Sequence, residues 1–129
     1  MPLRILIVDD DASIRASLSE ALAEQGAQVA TAEDGAAALA LLDRFSPELV
    51  LSDVRMPEIG GLMLLQAIRE RRPSIDVVLM TAYDDMGTIA SAMRGGAIDF
   101  LVKPIGLDQL LDLPSTSSSS RSVSTNCST

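Results

Sequence analysis

Leu3-Arg4-Ile5-Leu6-Ile7-Val8 runs directly into Asp9-Asp10-Asp11. The first six residues are short, apolar and rich in branched side chains, as a strand buried on both faces of a parallel sheet requires. The acids fall where that strand must turn. Behind them, Ile14, Leu18, Ala21, Leu22 and Gln25 repeat at helical spacing, and Gly26 ends the stripe. A buried strand feeding an amphipathic helix is one unit of an α/β fold.

The same unit recurs downstream. Residues 27–31 read as a strand, and residues 33–45 as a helix carrying Leu39, Leu42 and Phe45, closed by Ser46-Pro47. Residues 48–52 form a third strand. Leu62, Leu65 and Ile68 mark a helix that Pro73 stops. Residues 75–80 are a fourth strand, and residues 85–94 a helix closed by Gly95-Gly96. Residues 98–102 are a fifth strand, and Leu107, Leu110 and Leu111 start a short last helix that Pro114 ends. Strict alternation predicts a parallel sheet with helices on both faces. Right-handed crossovers leave few topologies. For five strands the expected architecture is the flavodoxin-like doubly wound α/β sheet in the order 2-1-3-4-5. Its switch point lies between strands 1 and 3, at their carboxyl ends, where such sheets bind ligands.

Polar residues collect at that edge. Asp9, Asp10 and Asp11 follow strand 1, Asp53 follows strand 3, Thr81 follows strand 4 and Lys103-Pro104 follows strand 5. Asp and Thr also serve as helix caps and turn formers, but agreement at four strand ends is hard to obtain from capping alone. Two carboxylates about 4 Å apart repel by roughly 4 kcal/mol at an effective dielectric of 20. A pocket shared by Asp9, Asp10, Asp11 and Asp53 therefore raises a pKa or recruits a cation. Few carboxylates with room for water suit Mg²⁺, and no EF-hand spacing favours Ca²⁺. A divalent ion beside a carboxylate, a hydroxyl and a lysine points to phosphoryl transfer, which needs positioning and charge neutralisation above all. Asp53 is then the nucleophile, as in aspartyl-phosphate chemistry, with Thr81 and Lys103 taking up charge on the phosphoryl oxygens.

Composition removes the competitors. The 129 residues contain no histidine and one cysteine, Cys127. That excludes ordinary zinc sites, an internal disulfide and His-dependent nucleophilic catalysis. A net charge of −8 argues against direct nucleic-acid binding by this segment. No apolar run approaches the length of a membrane span, so a cytoplasmic protein is expected. Lys103 is the only lysine. Where arginine supplies every other base, a lone lysine at a site suggests that a compact point charge is wanted. From Ser115 to Thr129 the chain holds eight serines, three threonines and one aliphatic residue, Val123. Such a stretch cannot bury enough apolar area to offset its ordering entropy. The expected organisation is a domain over residues 1–113 and a Ser/Thr-rich disordered tail over 114–129, of a composition that an appended foreign segment would share.

With these residues in place, the sequence resembles the receiver domain of two-component response regulators. The carrying segments are Ile-Leu-Ile-Val-Asp9-Asp10-Asp11, Leu-Ser-Asp53-Val-Arg-Met-Pro57, Met-Thr81-Ala82 and Val-Lys103-Pro104. The resemblance implies that Asp53 is the phosphoacceptor and that Asp10 binds Mg²⁺ directly with support from Asp9. It implies the backbone carbonyl of Arg55 as a further metal ligand. Thr81 is implied as the switch hydroxyl, Phe100 as the aromatic that turns into the space Thr81 vacates, and Lys103 as the lysine that pairs with the phosphoryl group. Lys103-Pro104 is implied to be a cis peptide bond. The positions of Arg55 and Tyr83 are implied to tune phosphoryl lifetime.

By the same resemblance, a histidine kinase is the donor, and phosphorylation switches the surface of helix 4, strand 5 and helix 5, which a homodimer or an output domain reads. The protein would be a phosphoacceptor that assists its own reactions, and no dedicated enzyme. The Met-Thr-Ala-Tyr stretch and the Ala/Gly-rich run before Asp99 are similar to receivers of the nitrogen-regulatory class, which precede an ATPase that activates sigma-54 transcription. This chain would then be the N-terminal part of a transcriptional regulator, with its output domain missing. The short fifth helix predicts an apolar surface beside strand 5 that is partly uncovered or covered by a partner chain. An alternative is a small phosphatase of the haloacid-dehalogenase type, with Asp9 as nucleophile in Asp9-x-Asp11. A flavin-binding module is a third reading, but Phe45, Tyr83 and Phe100 leave little to stack a flavin.

Overall fold

A computed structural model describes residues 3–54, 60–81, 86–103 and 105. Among these residues five strands alternate with four helices: β1 (Arg4–Val8), α1 (Ala12–Glu24), β2 (Gln28–Ala32), α2 (Gly35–Phe45), β3 (Leu49–Asp53), α3 (Gly61–Arg71), β4 (Asp76–Thr81), α4 (Met86–Arg94) and β5 (Asp99–Val102). The strands pair in the order β2-β1-β3-β4-β5, and every pairing is parallel. The expected flavodoxin-like order is therefore the one observed. The expected fifth helix at 107–113, the tail at 114–129 and the Lys103-Pro104 bond lie outside the described residues.

The sheet buries both faces because its side chains alternate. Ile5 and Ile7 of β1, Leu49 and Leu51 of β3, Val78 and Met80 of β4 and Leu101 of β5 pack with Leu18 and Leu22 of α1. Leu6, Val8, Val50, Val77 and Leu79 face the other way, onto Ala38 and Leu42 of α2, Leu64, Leu65 and Ile68 of α3 and Ala92 of α4. β3 is buried at all five positions, which is why Leu49-Val50-Leu51 shows no polar alternation. Truncating one of these fully buried leucines to alanine costs about 2–5 kcal/mol.

The expected boundaries shift by one or two residues. The apolar runs predicted strands ending at Ser52 and Met80, but the ladder continues to Asp53, opposite Met80, and to Thr81, opposite Val102. Neighbouring strands supply hydrogen-bond partners irrespective of side-chain polarity, so the polar residues join the sheet. α2 starts at Gly35, not residue 33, because Asp34 caps it by accepting from the Ala37 N–H at 2.8 Å. Gly26 and Gly96, with φ of 93° and 111°, follow α1 and α4 in the left-handed conformation that glycine adopts without penalty.

Candidate functional site

The carboxyl ends of β1, β3, β4 and β5 meet at one edge of the sheet. Asp9 follows the last residue of β1 and is fully buried. Each of its polar groups has a partner. Its N–H donates to the Ala32 carbonyl at 3.2 Å. Its Oδ1 accepts from the Asp11 N–H at 2.9 Å, and its Oδ2 accepts from Lys103 Nζ at 2.8 Å. Its carbonyl accepts from the Arg15 guanidinium. A buried carboxylate is tolerable only when paired and hydrogen-bonded in this way.

Asp53 ends β3 and is 8% exposed. Its Oδ2 lies 3.2 Å from Lys103 Nζ, so the one ammonium group touches both carboxylates. Burial pulls the Lys103 pKa down. The hydrogen bond to Asp9 and the charges of Asp53 and Asp9 outweigh it and raise the pKa above its ordinary value of 10.5. The backbone places Lys103 firmly: its N–H donates to the Thr81 carbonyl at 2.8 Å, continuing the β4–β5 ladder past Val102. Oxygen atoms of Asp9, Asp10 and Asp53 all lie within 4.8 Å of one another. This all-oxygen donor set, with Asp10 exposed to water, fits a hard divalent cation that keeps part of its hydration shell, as Mg²⁺ does.

Asp11 does not join this group. It is exposed and caps α1, accepting from the Ser13 N–H at 2.9 Å and the Ile14 N–H at 3.3 Å. The four-acid pocket expected from sequence is thus a three-acid pocket plus a helix cap. The Asp11 carboxylate is committed to the positive end of α1, where the first backbone N–H groups lack helical partners.

Thr81 is 1% exposed. It lies two residues beyond Leu79 on β4, and Phe100 of β5 is the ladder partner of Leu79. Period-two alternation puts Thr81 and half-buried Phe100 on the same face of adjacent strands. Arg55, whose carbonyl was an expected metal ligand, and Tyr83 lie outside the described residues. The structure adds Arg15, which the motifs did not single out. Arg15 reaches back from the first turn of α1 to the Asp9 carbonyl. A base in a first turn opposes the helix dipole, and that mismatch was the available sequence clue. Gly61 opens α3 against the end of β3, its N–H donating to the Val54 carbonyl at 2.9 Å. A Cβ added there in ordinary geometry would stand 2.6 Å from the Asp53 carbonyl oxygen.

The chain is similar to several known proteins. A family described as the response regulator receiver domain matches residues 5–113. The DNA-binding transcriptional regulator NtrC of Escherichia coli (strain K12) is 43% identical over 109 residues, covering 84% of this chain and 23% of that protein. The response regulator protein FleR of Pseudomonas aeruginosa is 43% identical over 113 residues, covering 88% of this chain and 24% of that protein. The chain thus spans about a quarter of the length of these relatives. Among solved structures, the receiver domain of NtrX from Brucella abortus superposes with a TM-score of 0.80 at 36% identity, covering 83% of this chain and 91% of that one. The chemotaxis protein CheY4 of Vibrio cholerae superposes with a TM-score of 0.81 at 31% identity, covering 86% of this chain and 94% of that one.

Proposed function

The chain belongs to the response regulator receiver domain family, and on that premise we propose that Asp53 accepts a phosphoryl group from the phosphohistidine of a partner histidine kinase. The observation that carries this reading is the Lys103 ammonium held between Asp9 and Asp53 at 2.8 and 3.2 Å, beside three carboxylates whose oxygens converge. An Asp53 oxygen attacks phosphorus, the donor's P–N bond breaks, and the imidazole leaves with that electron pair. Asp9 and Asp10, with Asp53, would hold Mg²⁺. Neutralisation of charge on the phosphoryl oxygens is what that ion supplies when bound. Lys103 adds a second, fixed positive charge at the same place. Thr81 is the hydroxyl that would hydrogen-bond the new phosphoryl group, and Phe100, on the same face, would follow it. That movement biases α4 and β5 between two packings.

On this reading the protein is a signalling domain that assists its own phosphorylation and dephosphorylation. By likeness to NtrC and FleR it would be the N-terminal part of a cytoplasmic transcriptional regulator, whose output domain binds DNA. Its receiver would span residues 1–113, and the α4/β5 surface would form a homodimer or contact the output domain. Among the described residues no helix is long and apolar enough to cross a membrane. The phosphatase alternative, with Asp9 as nucleophile, has no support: Asp9 is fully buried and both its oxygens are engaged, and the family match is to receivers.

Incubation with acetyl phosphate and Mg²⁺, followed by intact-mass measurement, tests the proposal. The expected result is addition of one phosphoryl group to the wild type and none to Asp53→Asn. Absence of any addition to the wild type, or equal addition to Asp53→Asn, refutes it.

A further inference from the structure

We infer that Arg15 is a positioning residue for the cation site: by holding the Asp9 carbonyl it sets the plane of the Asp9–Asp10 peptide and thereby aims Asp10. This rests on the Mg²⁺ site proposed above. Asp9 itself is fixed many times over, by burial and by partners on its N–H and on both carboxylate oxygens. Asp10 is different. It is exposed, and packing does little to orient it. The Asp9 carbonyl belongs to the planar unit that also contains the Asp10 N–H and Cα. Fixing that oxygen removes rotation of the unit and limits the directions open to the Asp10 side chain. Arg15 supplies the donor that fixes it.

The location of Arg15 supports a specific purpose. It is the fourth residue of α1, which has no acidic residue in its first turn other than the capping Asp11 before it. A guanidinium there faces the positive end of the helix dipole, which disfavours it. Helical side chains lean toward the N-terminus, so from this position the guanidinium falls back over the turn that carries the acids. Arg15 is half-buried, and its contact is a main-chain oxygen six residues earlier.

Two roles predict opposite signs. A guanidinium serving only as a counter-charge to the acids would compete with a metal ion, so removing it would tighten Mg²⁺ binding. A guanidinium that aims Asp10 would, on removal, weaken binding. Titration calorimetry of the full chain with MgCl₂ reads this directly. For Arg15→Met the expected dissociation constant rises about tenfold, the low end for residues that orient metal ligands. Arg15→Lys, which keeps a donor, recovers part of the loss. In an Asp10→Asn background the Arg15→Met effect shrinks to less than twofold. Unchanged or tighter binding by Arg15→Met overturns the inference, as does a full penalty in the Asp10→Asn background. If Arg15→Met does not fold, Arg15→Ala is read by the same sign. Thermal midpoints in EDTA report any purely structural contribution, which would move them and leave the Mg²⁺ constant alone. A wild type that does not bind Mg²⁺ removes the proposed cation site itself, an outcome distinct from a bound metal that ignores Arg15.

Discussion

Lys103 Nζ stands closer to Asp9 Oδ2, at 2.8 Å, than to Asp53 Oδ2, at 3.2 Å. The fully buried Asp9 carboxylate has this ammonium as its cationic side-chain partner among the described residues. Removing one partner of a fully buried pair costs about 3–5 kcal/mol, because a charge is left without compensation. The ammonium here is partly open to water, so Lys103→Met is expected to cost about 2 kcal/mol. Urea denaturation measures it. Millimolar Mg²⁺ is expected to stabilise the variant more than the wild type, since the ion replaces the lost positive charge. Equal stabilisation of both proteins would count against a shared acidic pocket.

The raised Lys103 pKa carries a pH dependence of known sign. The folded state holds this proton more tightly than the unfolded chain. The stabilisation is therefore complete below the unfolded value of 10.5 and is lost as pH rises through the higher folded value. Thermal midpoints measured upward from about pH 9 should fall more steeply for the wild type than for Lys103→Met above the ordinary lysine value. Parallel curves would mean that the folded site does not hold the proton.

Asp10 and Asp11 are adjacent and predict different phenotypes. Asp10→Asn removes one of three converging carboxylates. It is expected to weaken Mg²⁺ binding at least tenfold and leave metal-free stability unchanged or slightly higher, because repulsion is relieved. Asp11→Ala removes the cap of α1 and is expected to cost about 1 kcal/mol in urea denaturation, with Mg²⁺ affinity within about twofold. Calorimetry and denaturation on the same two variants separate a ligand from a cap.

Two glycine-to-alanine changes in helices should have opposite signs. At Gly87, in α4, a Cβ meets nothing within 4 Å among the described residues, so Gly87→Ala should stabilise by about 0.4–1 kcal/mol. At Gly61 the Cβ would lie 2.6 Å from the Asp53 carbonyl oxygen and 2.8 Å from the Val54 Cα. Backbone cannot rotate away as a side chain does. Gly61→Ala should cost about 1–3 kcal/mol and slow Asp53 phosphorylation by acetyl phosphate, because the end of β3 must shift. Chevron or equilibrium denaturation with a phosphorylation time course checks both effects.

Much of the fold was legible along the chain. Leu3 to Val8 and the helical stripe from Ile14 to Leu22 carry their own periodicity, and periodicity is a local property that survives without tertiary information. Alternation of such units restricts the sheet to few parallel orders, and the strand ends then fall at one edge. The positions of Asp9, Asp53, Thr81 and Lys103 at that edge follow from counting alone. Asp34 as a cap was missed because residues 33 and 34 continue a plausible helical pattern. Only the first N–H groups of α2 show which residue accepts from them.

By itself, the sequence determined the α/β alternation, the strand edge that bears the chemistry and the residues assembled there, because these depend on spacing and polarity within short segments. Tertiary structure alone decided how those residues divide. It gave Asp11 to the α1 N-terminus and left three acids to the pocket. It brought Lys103 to Asp9 across 94 positions of sequence, laid Arg15 on the Asp9 carbonyl and pressed Gly61 onto the end of β3. Each of these is a contact of a few ångströms between groups on different elements. Such distances do not exist until the sheet has closed and both core layers have packed, so no local pattern can encode them.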